Sequence, residues 1–125
     1  MDNIKNIQFI LCKIEGYKIK FKNLHWSSTC NNEHKLLDKI VDLVNTYEDE
    51  LAEISQGMTN RFASNFLYAD DVEGKDTESC INYLIIDLSS TKTILAKSNI
   101  CSGLVGKTED LIDELFKIKY LLKMK

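Results

Sequence analysis

The chain has 125 residues, a formal net charge of −3, and 44% apolar against 28% charged residues, the balance of one soluble domain whose core needs no disulfide framework. With no Pro and only five Gly, long stretches carry no helix breaker, which predicts an all-α fold. No apolar run approaches the roughly 20 residues that span a bilayer, the acidic balance gives no global attraction to nucleic acid, and the amphipathic opening Met1-Asp2-Asn3-Ile4-Lys5 does not read as a signal peptide.

The first predicted helix covers about Ile4 to Trp26. Its stripe is Ile4, Ile7, Leu11, Ile14, Tyr17, Phe21 and Leu24, spaced by threes and fours. His25 follows Phe21 by four residues and should point partly inward. Asn31 or Asn32 is placed to cap a second helix from about Glu33 to Ser55, with Gly57 as its stop. Leu37, Ile40, Val41, Val44, Tyr47, Leu51 and Ile54 form the second core stripe. Residues 58–75 combine Phe62, Phe66, Leu67 and Tyr68 with the loop-like Asp70-Asp71-Val72-Glu73-Gly74-Lys75. Their length suits a crossover between two parallel helices, packed by its aromatics and long enough to hold a short helix. The third helix is expected from about Asp76 to Ser98, with Ile81, Leu84, Ile85, Leu88, Ile94 and Leu95 inward. Ser102 to Gly106 reads as a turn, and Thr108 as the cap of a fourth helix with Leu111, Leu115, Ile118 and Leu122 inward. Glu109 and Asp110 complement the start of that helix, and Lys117, Lys119, Lys123 and Lys125 its end. Cys12, Cys30, Cys80 and Cys101 lack metal-finger spacing and read as reduced thiols of an intracellular protein.

Five residues stand out against this frame: His25, His34, Asp38, Asp49 and Glu53. Two imidazoles and three carboxylates are the mixed nitrogen and oxygen set that suits Fe(II) with open coordination positions. His34 and Asp38 are four apart, as are Asp49 and Glu53, so each pair lies one turn apart on a helix. Eleven residues, close to three turns, separate Asp38 from Asp49, so both pairs share one face while lying roughly 16 Å apart along the axis. One chain cannot close both pairs on one ion. A second, antiparallel copy related by a two-fold axis near Leu43 and Val44 would oppose His34 and Asp38 to the partner's Asp49 and Glu53. Two identical shared sites would result. The same face carries Asp42 and Asn45, and composition alone would read it as a solvated acidic surface.

Leu24-His25-Trp26, His34-Lys35-Leu36-Leu37-Asp38 and Asp49-Glu50-Leu51-Ala52-Glu53 resemble the ferroxidase signature of the Dps (DNA-protection-during-starvation) mini-ferritins. That pattern is His-Trp, a loop, His-x-x-x-Asp, ten residues, then Asp-x-x-Ala-Glu. The resemblance covers the first two helices in detail and the remainder only in helical layout. It implies a ferritin-like four-helix bundle with a long B–C crossover. It implies a ferroxidase whose His25, His34 and Asp38 bind iron with Asp49 and Glu53 of a two-fold mate. Glu53 would bridge to a second, weaker di-iron position, Fe(II) would pass to Fe(III), and Zn(II) would compete. Trp26 would intercept stray oxidising equivalents or act as an interface aromatic. The implied assembly is a homo-oligomer, at least a dimer and in full a twelve-subunit shell. Its implied roles are iron storage, iron detoxification and oxidative-stress protection, in the cytoplasm of a bacterial or phage-infected cell or associated with a virion. Asp110, Asp113 and Glu114 are candidates for a cavity or pore lining.

The sequence departs from that pattern in places. His34 follows His25 by nine residues where longer members have twelve, Ser27–Asn32 lacks their Gly and Phe, and Ile54 stands where many have Arg. The short loop resembles compact Dps-like proteins of bacteriophages and gut bacteria. No Glu is followed three residues later by His, which sets aside the Glu-x-x-His sites of true ferritins. DNA binding through a basic N-terminal tail has little support, since only Lys5 and Lys13 precede Lys18. The competing expectation is a non-catalytic, phage-encoded four-helix protein that keeps the fold as an assembly or interaction module.

Overall fold

A computed structural model describes residues 3–98 and 102–124. Four helices account for most of them: α1 (Asn3–Ser27), α2 (Asn31–Met58), α3 (Thr77–Lys97) and α4 (Ser102–Leu122). No strand occurs among the described residues. The expectations for Met1, Asp2, Cys101 and Lys125 lie outside them.

Helix direction follows from which side chains meet. Asn32 Nδ2 donates to the carbonyls of Leu121 (3.1 Å) and Met124 (3.0 Å), while Lys107 pairs with Glu50 further along α2. So α4 runs opposite to α2. Thr77 Oγ1 donates to Glu33 Oε1 at 3.1 Å, so α3 begins where α2 begins. Lys92 further along α3 pairs with Glu109 in the first half of α4, so α3 runs opposite to α4 and parallel to α2. Between them residues 59–76 return along α1: Ala63 N reaches Gln8, Asp70 N reaches the Cys12 carbonyl, and Gly74 O accepts from Lys20. The result is a four-helix bundle with one long crossover. Most of the predicted stripe residues form its core, with Ile7, Leu11, Phe21, Leu37, Ile40, Val44, Leu51, Ile81, Leu84, Leu88, Leu95, Leu115 and Ile118 all buried. Ile4, Leu24, Val41, Ile54, Ile85, Ile94 and Leu122 are only partly buried, and Leu36, Val72 and Leu104 join the core unforeseen.

Several boundaries differ from the sequence expectation, each for a visible reason. Neither Asn31 nor Asn32 caps α2. Extended Cys30 occupies that position without a side-chain bond, and Asn32 instead donates to the Leu121 and Met124 carbonyls where α4 ends. Gly57 does not stop α2, which runs on to Met58; Thr59 closes it by donating from its amide and hydroxyl to the Ser55 carbonyl. Ser102–Gly106 is helix rather than turn, because fully buried Leu104 draws that stretch into the core. Thr108 is therefore no cap. Its hydroxyl donates back to the Leu104 carbonyl at 2.7 Å and lies 2.8 Å from the Tyr47 hydroxyl. Asp76 does cap α3, in a reciprocal box with Ser79.

The crossover holds no short helix, only a turn at Ser64–Asn65. Its peptide groups bond outward to Gln56, Gln8 and Cys12 rather than to one another. Phe62 and Phe66 meet edge to face at 5.3 Å and pack against the core, as their apolarity suggested. Gly16 makes this course along α1 possible: a Cβ there would overlap the Asp70 carbonyl oxygen.

Candidate metal centre

The junction of α1 and α2 brings His25 and His34 together. Their rings stack with centroids 3.9 Å apart and planes 19° from parallel. His25 Nδ1 lies 2.9 Å from the His34 carbonyl oxygen, and His34 Nδ1 lies 2.9 Å from the His25 carbonyl oxygen. A carbonyl can only accept, so each Nδ1 carries the proton and donates. In the neutral ring the free lone pair is then on Nε2, the arrangement in which an imidazole ligand has its other nitrogen anchored to the backbone. The short loop permits this because α2 starts at once: His34 N bonds the Cys30 carbonyl at 2.9 Å, fixing His34 in the first turn.

The stack is not yet a chelate. Each Nε2 lone pair lies in its own ring plane and the two planes are near-parallel and separated, whereas one ion must sit about 2.1 Å from each nitrogen and close to both ring planes. At least one ring must tilt before both can bind the same ion. His25 is half-buried and His34 exposed, so room to tilt exists.

The carboxylates take the expected positions on α2. Asp38, Asp42, Asn45, Asp49 and Glu53 are all exposed, while Leu37, Ile40, Val44, Tyr47 and Leu51 are buried on the other side. Within one chain, and among the described residues, no group of three or more His, Cys, Asp or Glu converges as a metal site. His25, His34 and Asp38, the half-site that the resemblance assigns to one subunit, are therefore not gathered as a three-ligand cluster in this structure. Trp26 follows His25 in the last turn of α1 and is 74% exposed, with no place in the core. Of the acidic residues on α4, Glu114 pairs with Lys39 and Lys117, and Asp110 lines a groove between α2 and α4 with Lys39, Glu50 and Lys107. Cys12, Cys30 and Cys80 are free thiols, and burial raises Cys80 above the usual thiol range.

A polar cluster beside this face was not foreseen. Lys18 Nζ lies 2.9 Å from Glu15 Oε2, 2.8 Å from Asn45 Oδ1 and 2.8 Å from Glu48 Oε1. Burial pushes the Glu48 carboxyl up to about 7, and the adjacent Glu15 carboxyl pushes the same way against the pull of Lys18. Glu15 is held below its ordinary value, chiefly by the neighbouring Glu48 carboxyl and then by Lys18. The sequence held a faint signal: Lys18 is four residues from Ile14 and Glu48 directly follows Tyr47, placing both charges at the margin of a core stripe.

The chain was compared with protein-family models, curated proteins and solved structures, and none matches it. No helix among the described residues is long and apolar enough to cross a membrane.

Proposed function

We propose that the chain is a Dps-like mini-ferritin. It takes Fe(II) as substrate at sites shared between two antiparallel copies of α2 and oxidises it with hydrogen peroxide or dioxygen, so that iron is detoxified and stored. The observation that carries this reading is the meeting of His25 and His34, nine residues apart in sequence, with both Nδ1 atoms anchored and both Nε2 atoms available. Two further observations support it. His34, Asp38, Asp49 and Glu53 occupy one exposed face of α2, and parallel α2 and α3 joined by one long crossover is the layout of ferritin-like bundles.

In this reading His25, His34 and Asp38 of one subunit face Asp49 and Glu53 of its mate, and Glu53 admits a second iron. Two ferrous ions give up one electron each; peroxide takes both electrons with two protons and leaves as two waters. No hydroxyl radical is released. The residues supply fixed geometry, negative charge and open positions rather than proton transfer. The assembly proposed is a dimer at least and a twelve-subunit shell in full, in the cytoplasm of a bacterial or phage-infected cell.

Stoichiometric Fe(II) oxidation by peroxide, followed by absorbance, tests the reading against a His34→Ala/Asp38→Ala variant. A wild-type rate at least about tenfold above the variant is expected from loss of two ligands. Equal rates would leave the non-catalytic assembly reading in its place. One feature favours that second reading: the stacked, mutually bonded histidines form a self-sufficient joint that needs no ion to hold it.

A further inference from the structure

Lys18 determines how Asn45 is turned. An ammonium has three donors and no acceptor, and all three are taken by Glu15, Asn45 and Glu48. Only the oxygen of an amide can meet that cation, so Asn45 Oδ1 faces α1 and its NH2 group faces away, along the exposed side of α2. No acceptor among the described residues takes those two protons.

The register that opposes His34 to Glu53 and Asp38 to Asp49 also decides what Asn45 meets. Each of those pairs is equidistant from an axis between Leu43 and Val44, and so are Asn45 and Asp42. We propose that a second copy of this chain docks on the exposed face of α2 through two central contacts, each with Asn45 Nδ2 donating to the Asp42 carboxylate of the partner subunit, and that Lys18 sets this register by orienting the amide. The inference rests on the shared-site reading and adds the residues that align its halves. An amide donor against an ionised acceptor makes a charge-assisted bond, strengthened where an interface excludes water. A single buried polar contact of this kind is a known device for fixing helix register. Slippage by one turn in one direction sets Asp42 against Asp49 and Asp38 against Glu53, carboxylate on carboxylate. Slippage the other way sets Asn45 against Asp38 and draws that ligand away from the metal.

The test is the subunit concentration for half-assembly of the full chain, measured by analytical ultracentrifugation in chelator. Asn45→Asp puts two carboxylates face to face and should raise that concentration at least about tenfold. Asp42→Asn/Asn45→Asp exchanges donor and acceptor and should restore it to within about threefold of wild type, a coupling that independent sites would not show. Both residues are exposed, so neither change touches the core, and unchanged helical circular dichroism checks this. A double variant as weak as the single one, with wild type assembling normally, overturns the Asn45–Asp42 contact and leaves the shared site standing. A wild-type chain that stays monomeric with and without Fe(II) overturns both.

Discussion

His25 and His34 hold each other's main chain. Each ring nitrogen Nδ1 reaches the other residue's carbonyl oxygen at 2.9 Å, and the two rings lie face to face across the α1–α2 junction. This reciprocity fixes the tautomer. In metal-free protein near neutral pH, nitrogen NMR should show both neutral rings protonated at Nδ1, and one equivalent of Zn(II) should shift the Nε2 resonances of both. Rings protonated at Nε2 would contradict the arrangement. His34→Ala removes the ring stack and the bond from His34 Nδ1, while the His34 carbonyl can still accept from His25, so the expected loss of stability is only about 1 kcal/mol.

Gly16 decides whether the crossover can lie on α1. Ala is ordinarily better than Gly inside a helix by about 1 kcal/mol. Here the added Cβ would overlap the Asp70 carbonyl oxygen and crowd Val72, and overpacking against backbone costs about 1–3 kcal/mol. The clash wins because a peptide carbonyl cannot swing aside like a side-chain end. Gly16→Ala should lower the unfolding midpoint and speed hydrogen exchange at the Asp70 amide, which bonds the Cys12 carbonyl. A stabilised variant would show that the crossover has room to lift.

Tyr47 and Thr108 tie α2 to α4 inside the core. The single Thr108 hydroxyl proton goes to the Leu104 carbonyl, so the Tyr47 hydroxyl is the donor between the two side chains. Tyr47→Phe should cost about 1 kcal/mol, and Thr108→Val more, because it leaves a buried phenol donor without a partner. Combining them should cost less than the sum of the two. Chemical denaturation of the four proteins measures this, and strict additivity would mean the pair does not interact.

Asp76 links α3 to pH. Its carboxylate accepts from the Ser79 amide at 2.8 Å, and that hydrogen bond holds it below the ordinary value of 3.8. A depressed carboxylate contributes stability that is present above its unfolded value and lost as pH falls through the folded one. Asp76→Ala should therefore cost about 1 kcal/mol at pH 7, with a gap from wild type that closes as pH falls through the lowered value of the carboxyl. Thermal unfolding across pH 2 to 7 reads this out, and a gap independent of pH would assign the cost to something other than the charged cap.

Much of this molecule could be read from periodicity. The four apolar stripes, the shared face of His34, Asp38, Asp49 and Glu53, and the Asp76 start of α3 all follow from spacings of three and four, because a helix turns the same way in any context. The end of α2 and the start of α4 were misplaced for a different reason. Gly57 and Thr108 have local preferences for stopping and starting helices, and the Thr59 bonds to the Ser55 carbonyl and the burial of Leu104 overrode them.

Sequence alone indicated that the chain forms helices, which side of each faces inward, and that the His34/Asp38 and Asp49/Glu53 pairs on α2 lie too far apart for one chain to close both on one ion. Those properties depend only on residue order along a regular rod. Tertiary structure decided that the two imidazoles stack and bond across the first turn, that Asn32 serves a helix other than its own, and that Lys18 gathers three oxygens from α1 and α2. These depend on how the rods are rotated and shifted against one another, which is set by the whole core at once rather than by any short stretch of residues.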